Sequence, residues 1–302
     1  MAIKVILILL SSIIPVIAFF FQPILVREII RDLRVLRILH YVALTGLGLA
    51  LEDHFLNRLD LDIILKSGLF IISLIYAAVF AIISNNFEDL ETDKISNQER
   101  PLVQNRVNRV MYRKAGVFCQ CYALLIAAFI DNEALYCLFF ISLGYYVYSC
   151  EPFRFKKIPF IAKIIIGFNS LAVAVAGFQI AGGSAENFPI VWALYILIPL
   201  SLSANFVDLK DIEGDKIMNV RTLPILLGES KAKKFIAFMT AISYLIPGIL
   251  LDLWWLYPII FTMMGLHIWF LYRKPYREKP IFLIYVSSIF GLNTFLIVSK
   301  YL

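Results

Sequence analysis

Charge is what this 302-residue chain has least of. Asp, Glu, Lys and Arg make up 17% of it against 61% hydrophobic residues, and the mean hydropathy is +0.81. A soluble domain carries about 25% charged residues, so the composition excludes one and indicates an integral membrane protein. Cysteine is scarce too. Cys119, Cys121, Cys137 and Cys150 form no CxxC pair, suit no zinc site and lie in or at the ends of apolar runs, where they read as small core residues. The three histidines, His40, His54 and His267, are scattered and suggest no metal role. Short alternating strands are also missing. The apolar runs are continuous, which excludes a barrel and points to helices.

What is present is a series of long apolar runs. A span takes roughly 20 such residues. Ten candidate spans fit, at 5–26, 35–51, 67–85, 115–131, 134–149, 158–182, 188–207, 235–251, 254–271 and 280–299. With ten spans, 24 of the 28 Lys and Arg residues fall on one side of the membrane, leaving Lys4, Arg58, Lys66 and Lys300 on the other. The positive-inside rule places the basic side in the cytoplasm or its organellar equivalent. The net charge of +6 is therefore a membrane signal and implies no nucleic-acid partner. No A-x-A site follows the first run, so it reads as an uncleaved helix. After it, Arg27, Arg31 and Arg34 share about one helical face, as in an amphipathic lead-in on the membrane surface.

On the basic side, charge arrives abruptly. Gly68 to Asn85 carries none, and then Glu88, Asp89, Glu91 and Asp93 fall within six positions. A second acidic stretch follows the span at 188–207. Asn86-Phe87-Glu88-Asp89-Leu90 matches Asn205-Phe206-Val207-Asp208-Leu209, and Asp89-x-x-x-Asp93-Lys94 matches Asp211-x-x-x-Asp215-Lys216. Arg100 and Pro101 follow the first stretch, Arg221 and Pro224 the second. Four spans separate the pairs, so both face one compartment, as an internal duplication would place them.

Residues i and i+4 share a helix face, with Cβ atoms about 5–6 Å apart. Carboxylates that close repel each other, and a hard cation relieves the repulsion. Mg²⁺ takes a few carboxylate oxygens and completes its shell with water and phosphate, and a nearby Lys or Arg clamps the remaining phosphate charge. A lipid diphosphate fits such a site, with its head at the acids and its tail among the helices.

These residues resemble the UbiA superfamily of intramembrane prenyltransferases. Asn85-Asn86-x-x-Asp89-x-x-x-Asp93 is similar to its NDxxDxxxD motif, and Arg100-Pro101-Leu102 to the RPL after it. DIEGDK, with Asp211 and Asp215, resembles the second motif; Tyr148-Ser149-Cys150-Glu151-Pro152-Phe153-Arg154-Phe155-Lys156 resembles the YSxPPxRxK signature. The resemblance covers residues 35 to 299, nine spans, the family's number. It departs from the pattern at Asn86, where the motif has Asp, at Glu151, where the signature has Pro, and in the additional helix 5–26.

The resemblance implies an all-α polytopic membrane bundle, with nine family-type helices around a central cavity plus the extra N-terminal helix. The domains would be 1–34, the extra helix and lead-in, and 35–302, with pseudo-repeats at about 35–157 and 158–302. It implies Mg²⁺ held by Asp89, Asp93, Asp208, Asp211 and Asp215, and a diphosphate bound by Asn85, Asn86, Lys94, Arg100, Arg154, Lys156, Asn205, Lys216 and Arg221. Tyr148 joins Asp89, Asp93, Asp211 and Asp215 as a catalytic candidate, and Glu151 falls to the acceptor region; Asn169, a polar residue inside the run 158–182, reads first as a helix–helix contact and second as an acceptor contact. The implied activity is transfer of an isoprenyl group from its diphosphate to an aromatic or lipid-like acceptor. A terpene cyclase of the same superfamily, using no acceptor, is the alternative. A transporter is disfavoured, because its ionisable residues belong near mid-membrane and these acids sit at helix ends.

Overall fold

The computed structural model describes residues 1–158, 161–217, 220–252 and 254–299, without the Ser96 side chain. Lys300 and the Pro159-Phe160 start of one expected span lie outside the described residues. Among the described residues every regular element is a helix.

Local chemistry explains where the helices begin and end. Helix α1 (Ala2–Phe21) stops before Pro23, which opens α2 (Pro23–Asp32). Proline lacks an N–H and suits the first turn of a helix. The expected single run at 5–26 is thus two elements. Helix α3 (Val35–Leu51) follows, bent 65° from α2. Asp60 caps α4 (Leu61–Glu88), its Oδ1 accepting from the Ile63 N–H at 2.8 Å. After the short α5 (Leu90–Ser96), Asn108 caps α6 (Arg109–Ala128) at 3.0 and 3.1 Å, and Asp131 caps α7 (Asn132–Ser149) at 2.8 Å. Then come α8 (Ile161–Ile180), α9 (Ile190–Lys210), α10 (Ile212–Ile217), α11 (Leu223–Leu227), α12 (Glu229–Leu250), α13 (Tyr257–Tyr272) and α14 (Glu278–Ser299).

Among the described residues seven helices are long and apolar enough to cross a membrane, and the bent α2–α3 pair makes up to eight. The runs expected at 115–131 and 134–149 form the helices α6 and α7, of 20 and 18 residues, which are not among those seven. Arg109, Arg113 and Lys114 in α6, and Asn132, Glu133 and four tyrosines in α7, leave these two more polar than the rest. Length and composition alone therefore stop short of ten spans.

Helix α3 runs through the middle, against α8 on one side and α14 on the other, while α4 packs on α6 and α7 on α8. At the α3–α8 crossing the backbones touch. A Cβ added to Gly48 would lie 1.8 Å from the Ala174 carbonyl oxygen, and one added to Gly177 would lie 2.1 Å from that of Thr45. Small residues allow this approach in a membrane, where helix association rests on close packing. Buried amides tie the bundle together. Asn293 Nδ2 donates to the Ala43 carbonyl at 2.7 Å and Gln120 Nε2 to Ser142 Oγ at 2.8 Å. Helix α1 is held by Tyr76, whose hydroxyl donates to the Ser11 carbonyl at 2.8 Å, while its outer face, with Phe20 and Phe21 about 80% exposed, is left for lipid.

Replacing Gly177 with Val should force α3 and α8 apart at a cost of about 3 kcal/mol. Size-exclusion chromatography in detergent should show loss of the monodisperse peak. Gly265→Ala should leave that peak unchanged, since a Cβ there meets nothing within 4 Å.

Candidate active site

Both acidic stretches are built the same way. Asp89 sits between α4 and α5 with φ −99° and ψ 10°; Asp211 sits between α9 and α10 with φ −100° and ψ 9°. Each is a single residue in the bridge region that turns a span into a short helix. The chain still carries helical hydrogen bonds across each joint: the Asp93 N–H donates to the Asp89 carbonyl at 2.7 Å, and the Asp215 N–H to that of Asp211 at 2.8 Å. Asp93 and Asp215 are thereby held beside Asp89 and Asp211. The joints also fix the register. Asp211 corresponds to Asp89, Asp215 to Asp93, and Asp208 to Asn86, which is three residues away from the sequence match of Asn86 with Asn205. The second joint is prepared within α9, where Pro199 lies in a π turn at Ile196–Leu200 and the backbone tightens to a 3₁₀ helix over Ala204–Lys210. Helices α5 and α10 pack against each other.

Between the joints lies a cavity of about 310 Å³. Its lining brings together Asp89, Asp93, Asp208, Asp211 and Asp215 with Asn85, Asn205, Arg100, Arg154, Lys156, Arg221 and Tyr148. Tyr41, Tyr145, Phe206, Phe282 and Tyr285 line it as well, and make its aromatic part.

Five expected site residues do not line it. Lys94 is exposed and pairs with Glu91 at 2.6 Å. Lys216 is exposed. Glu151 is exposed and meets Arg154 and Lys157, each at 3.4 Å. Asn169 is buried between α7 and α8, where its Nδ2 donates to the Ile141 carbonyl at 3.4 Å. Asn86 turns away from the cavity and donates to Asp32 Oδ2 at 2.5 Å and to the Tyr112 hydroxyl at 3.0 Å.

The acids are buried deeply enough to need compensation. Arg154, in the left-handed region at φ 43°, donates from Nη2 to Asp89 Oδ1 at 2.9 Å and to the Glu88 carbonyl at 2.8 Å. Lys156 donates to the same Asp89 oxygen and to Asn85 Oδ1 at 3.3 Å. Asn85 Oδ1 also accepts from Ser149 Oγ at 2.7 Å. The signature loop after α7 therefore exists largely to hold the first joint. At the second, Lys163 from α8 meets Asp208 at 3.0 Å and Thr222 Oγ1 donates to Asp215 Oδ2 at 3.1 Å.

Compensation is incomplete. Burial pushes the Asp93 and Asp211 carboxyls above the usual range. Burial, reinforced by Asp211 and Asp208, pushes Asp215 up to about 7. The Asp93 Oδ2 atom is buried and accepts no hydrogen bond. Hard oxygen donors that repel one another, one of them buried and bondless, suit a hard divalent cation. Among the described residues no group of three or more His, Cys, Asp or Glu side chains is placed to hold a metal ion by itself. An open set is what Mg²⁺ uses when it keeps several waters and substrate phosphate oxygens.

The structure adds cations that motif reading missed. Arg34, Arg37, Lys163 and Lys210 line the cavity, as does His40, which hydrogen-bonds Ser170 Oγ at 3.1 Å and the Tyr285 hydroxyl at 3.2 Å. Lys163 had a legible signal, an ionisable residue inside an apolar run. Arg37 was visible only as positive-inside charge, and Arg34 as that and as part of the amphipathic lead-in.

Asp215 ties the site to stability. Its folded value lies above its unfolded one, so the folded state holds the proton longer. Its contribution is present below pH about 4 and is lost as pH rises to about 7. At pH 8 without divalent cations, Asp215→Asn should raise the melting temperature in detergent, and the gain should vanish near pH 4. A gain that is the same at both pH values would contradict this account.

Residues 41–289 match the UbiA prenyltransferase family. The chain is 28% identical over 167 residues to digeranylgeranylglyceryl phosphate synthase of Pyrococcus horikoshii; the match covers 54% of this chain and spans 58% of that relative's length. It is 31% identical over 211 residues to the synthase of the same name from Thermococcus sibiricus, covering 66% of this chain and 70% of that one. In fold it is similar to a UbiA homolog from Archaeoglobus fulgidus solved with GPP and Mg²⁺, with a TM-score of 0.70 over 90% of this chain and 99% of that chain at 18% identity. With the family matched across most of its length, this multi-pass membrane protein belongs to the UbiA prenyltransferase family.

Proposed function

We propose that the protein transfers an isoprenyl group from an isoprenyl diphosphate to an acceptor within the membrane, using Mg²⁺ at two acidic motifs on the cytoplasmic side. The observation that carries this reading is the pair of matching Asp joints on one cavity whose lining is both cationic and aromatic. When bound, Mg²⁺ held by Asp93, Asp211 and Asp215, with Asp89 and Asp208, supplies Lewis-acid polarisation at the leaving diphosphate oxygen.

The chain's own residues do the rest. Lys156, Arg154, Arg100, Lys163 and Arg221 bind and orient the diphosphate and take up its growing charge as the allylic C–O bond breaks. Tyr41, Tyr145, Tyr148 and Tyr285 present ring faces where the allylic cation develops and keep water from it. The acceptor hydroxyl oxygen then attacks that carbon, and its proton passes to the departing diphosphate.

The relatives' name supports a phosphate-bearing acceptor: taking one geranylgeranyl group from their product leaves geranylgeranylglyceryl phosphate. The cavity agrees, because its Arg and Lys side chains outnumber its five carboxylates. That excess suits a second anionic group beside the diphosphate. The twin joints also support two pseudo-repeats, 35–157 and 158–302, preceded by a separate segment, 1–34. A family match that begins at residue 41 agrees with that division.

Purified protein with Mg²⁺, geranylgeranyl diphosphate and geranylgeranylglyceryl phosphate should yield the diether product, and EDTA should stop it. Asp89→Ala and Asp211→Ala should each lower turnover by at least about 100-fold with the melting temperature held. Product formed without any acceptor would point to cyclisation. Wild-type turnover in both variants would sink the proposal.

A further inference from the structure

Position 86 is where the two acidic motifs part company. In the second motif the corresponding residue is Asp208, which faces Lys163 at 3.0 Å. In the first it is Asn86, and its partner is a carboxylate: Asn86 Nδ2 donates to Asp32 Oδ2 at 2.5 Å. Asn86 is 1% exposed, and the Asp32 side chain 7%. An Asp at position 86 would set two buried like charges within hydrogen-bond distance, which is costly. The amide is the group that this neighbour permits.

Asp32 has a second contact. Its Oδ1 accepts from Arg100 Nη1. Arg100 Nε lies 4.0 Å from Asp93 Oδ2, the buried oxygen that accepts no hydrogen bond. Arg100 thus stands between two carboxylates and sits closer to Asp32. Nearby, Glu28 of the same helix takes Arg106 Nε at 3.1 Å, so α2 grips the loop after α5 at two points. Residues 23–32 lie outside the matched segment 41–289.

We propose that Asp32 is a positioning residue: it holds Arg100 off Asp93, leaving Asp93 Oδ2 available to a divalent cation, and Asn86 is the amide matched to it. The inference rests on the reading that Asp93 binds the metal. Without the Asp32 carboxylate, Arg100 closes on Asp93 and competes with the cation for that oxygen. Helix α2 thereby tunes the metal site of the matched domain from outside it.

Full-length protein in detergent would be titrated with Mn²⁺ and inorganic pyrophosphate, with free Mn²⁺ followed by electron paramagnetic resonance. Asp32→Asn should weaken Mn²⁺ binding about tenfold, while in an Arg100→Gln background the same change should add less than about twofold. Should Asp32→Asn fold poorly, the swap Asp32→Asn with Asn86→Asp keeps one amide and one carboxylate at the pair. It still takes the carboxylate from Arg100 and carries the same expected loss. Wild-type Mn²⁺ binding in these variants, or equal losses with and without Arg100, would overturn the proposal even where the melting temperature falls. Failure of the wild-type protein to bind Mn²⁺ would overturn this proposal and the metal reading together.

Discussion

The constraint the rest of the site answers to is five carboxylates lining one cavity. A buried carboxylate with no compensating charge is too costly to keep ionised, and these come two and three to a motif. The structure therefore recruits a cation for each joint from a different part of the chain. Arg154 and Lys156 reach Asp89 from the loop after α7, and Lys163 reaches Asp208 from the first turn of α8. Asp211 and Asp215 remain above the normal carboxylate range even so. Burial is the main cause in both, so the second joint keeps carboxyls that its own cations do not fully offset.

The bundle delivers the carboxylates in pairs by a backbone device. A single bridge-region residue between a long helix and a short one turns the chain without interrupting its hydrogen bonds. Two such joints can face one another only if the helices between them are fixed. The α3–α8 contact at Gly48 and Gly177 does this, since it leaves no room for a side chain and so allows one spacing. Buried amides such as Asn293 and Asn169 add directional bonds that lipid cannot replace.

Much of this was legible in the sequence, and for identifiable reasons. Apolar runs reveal helices because lipid enforces them, and two acidic stretches at helix ends stand out against charge-free spans. Asp89, Asp93, Asp208, Asp211 and Asp215 could be named as one group for that reason, and the structure sets them on one cavity. Proximity on a motif did not fix direction. Lys94 and Lys216 each follow an Asp, yet a residue one step along a helix points about 100° away, and both are exposed. Asn169 looked available to a substrate but binds the neighbouring helix. The Asp32–Arg100–Asp93 arrangement lay beyond sequence reading, because its members come from three elements with no shared spacing.

The two halves also show what a duplicated site gains from losing its symmetry. The same backbone joint occurs twice, yet Asp208 in one half faces a lysine from α8 and the corresponding Asn86 in the other faces an acid from α2. A symmetric pair would offer two equivalent metal positions. Here the first motif has one carboxylate fewer, since Asn86 is neutral, and carries three of the closest cations, Arg100, Arg154 and Lys156. The second keeps three acids and is served by Lys163 and the Thr222 hydroxyl. Carboxyl groups are thus more numerous at the second joint, and their closest cationic partners more numerous at the first.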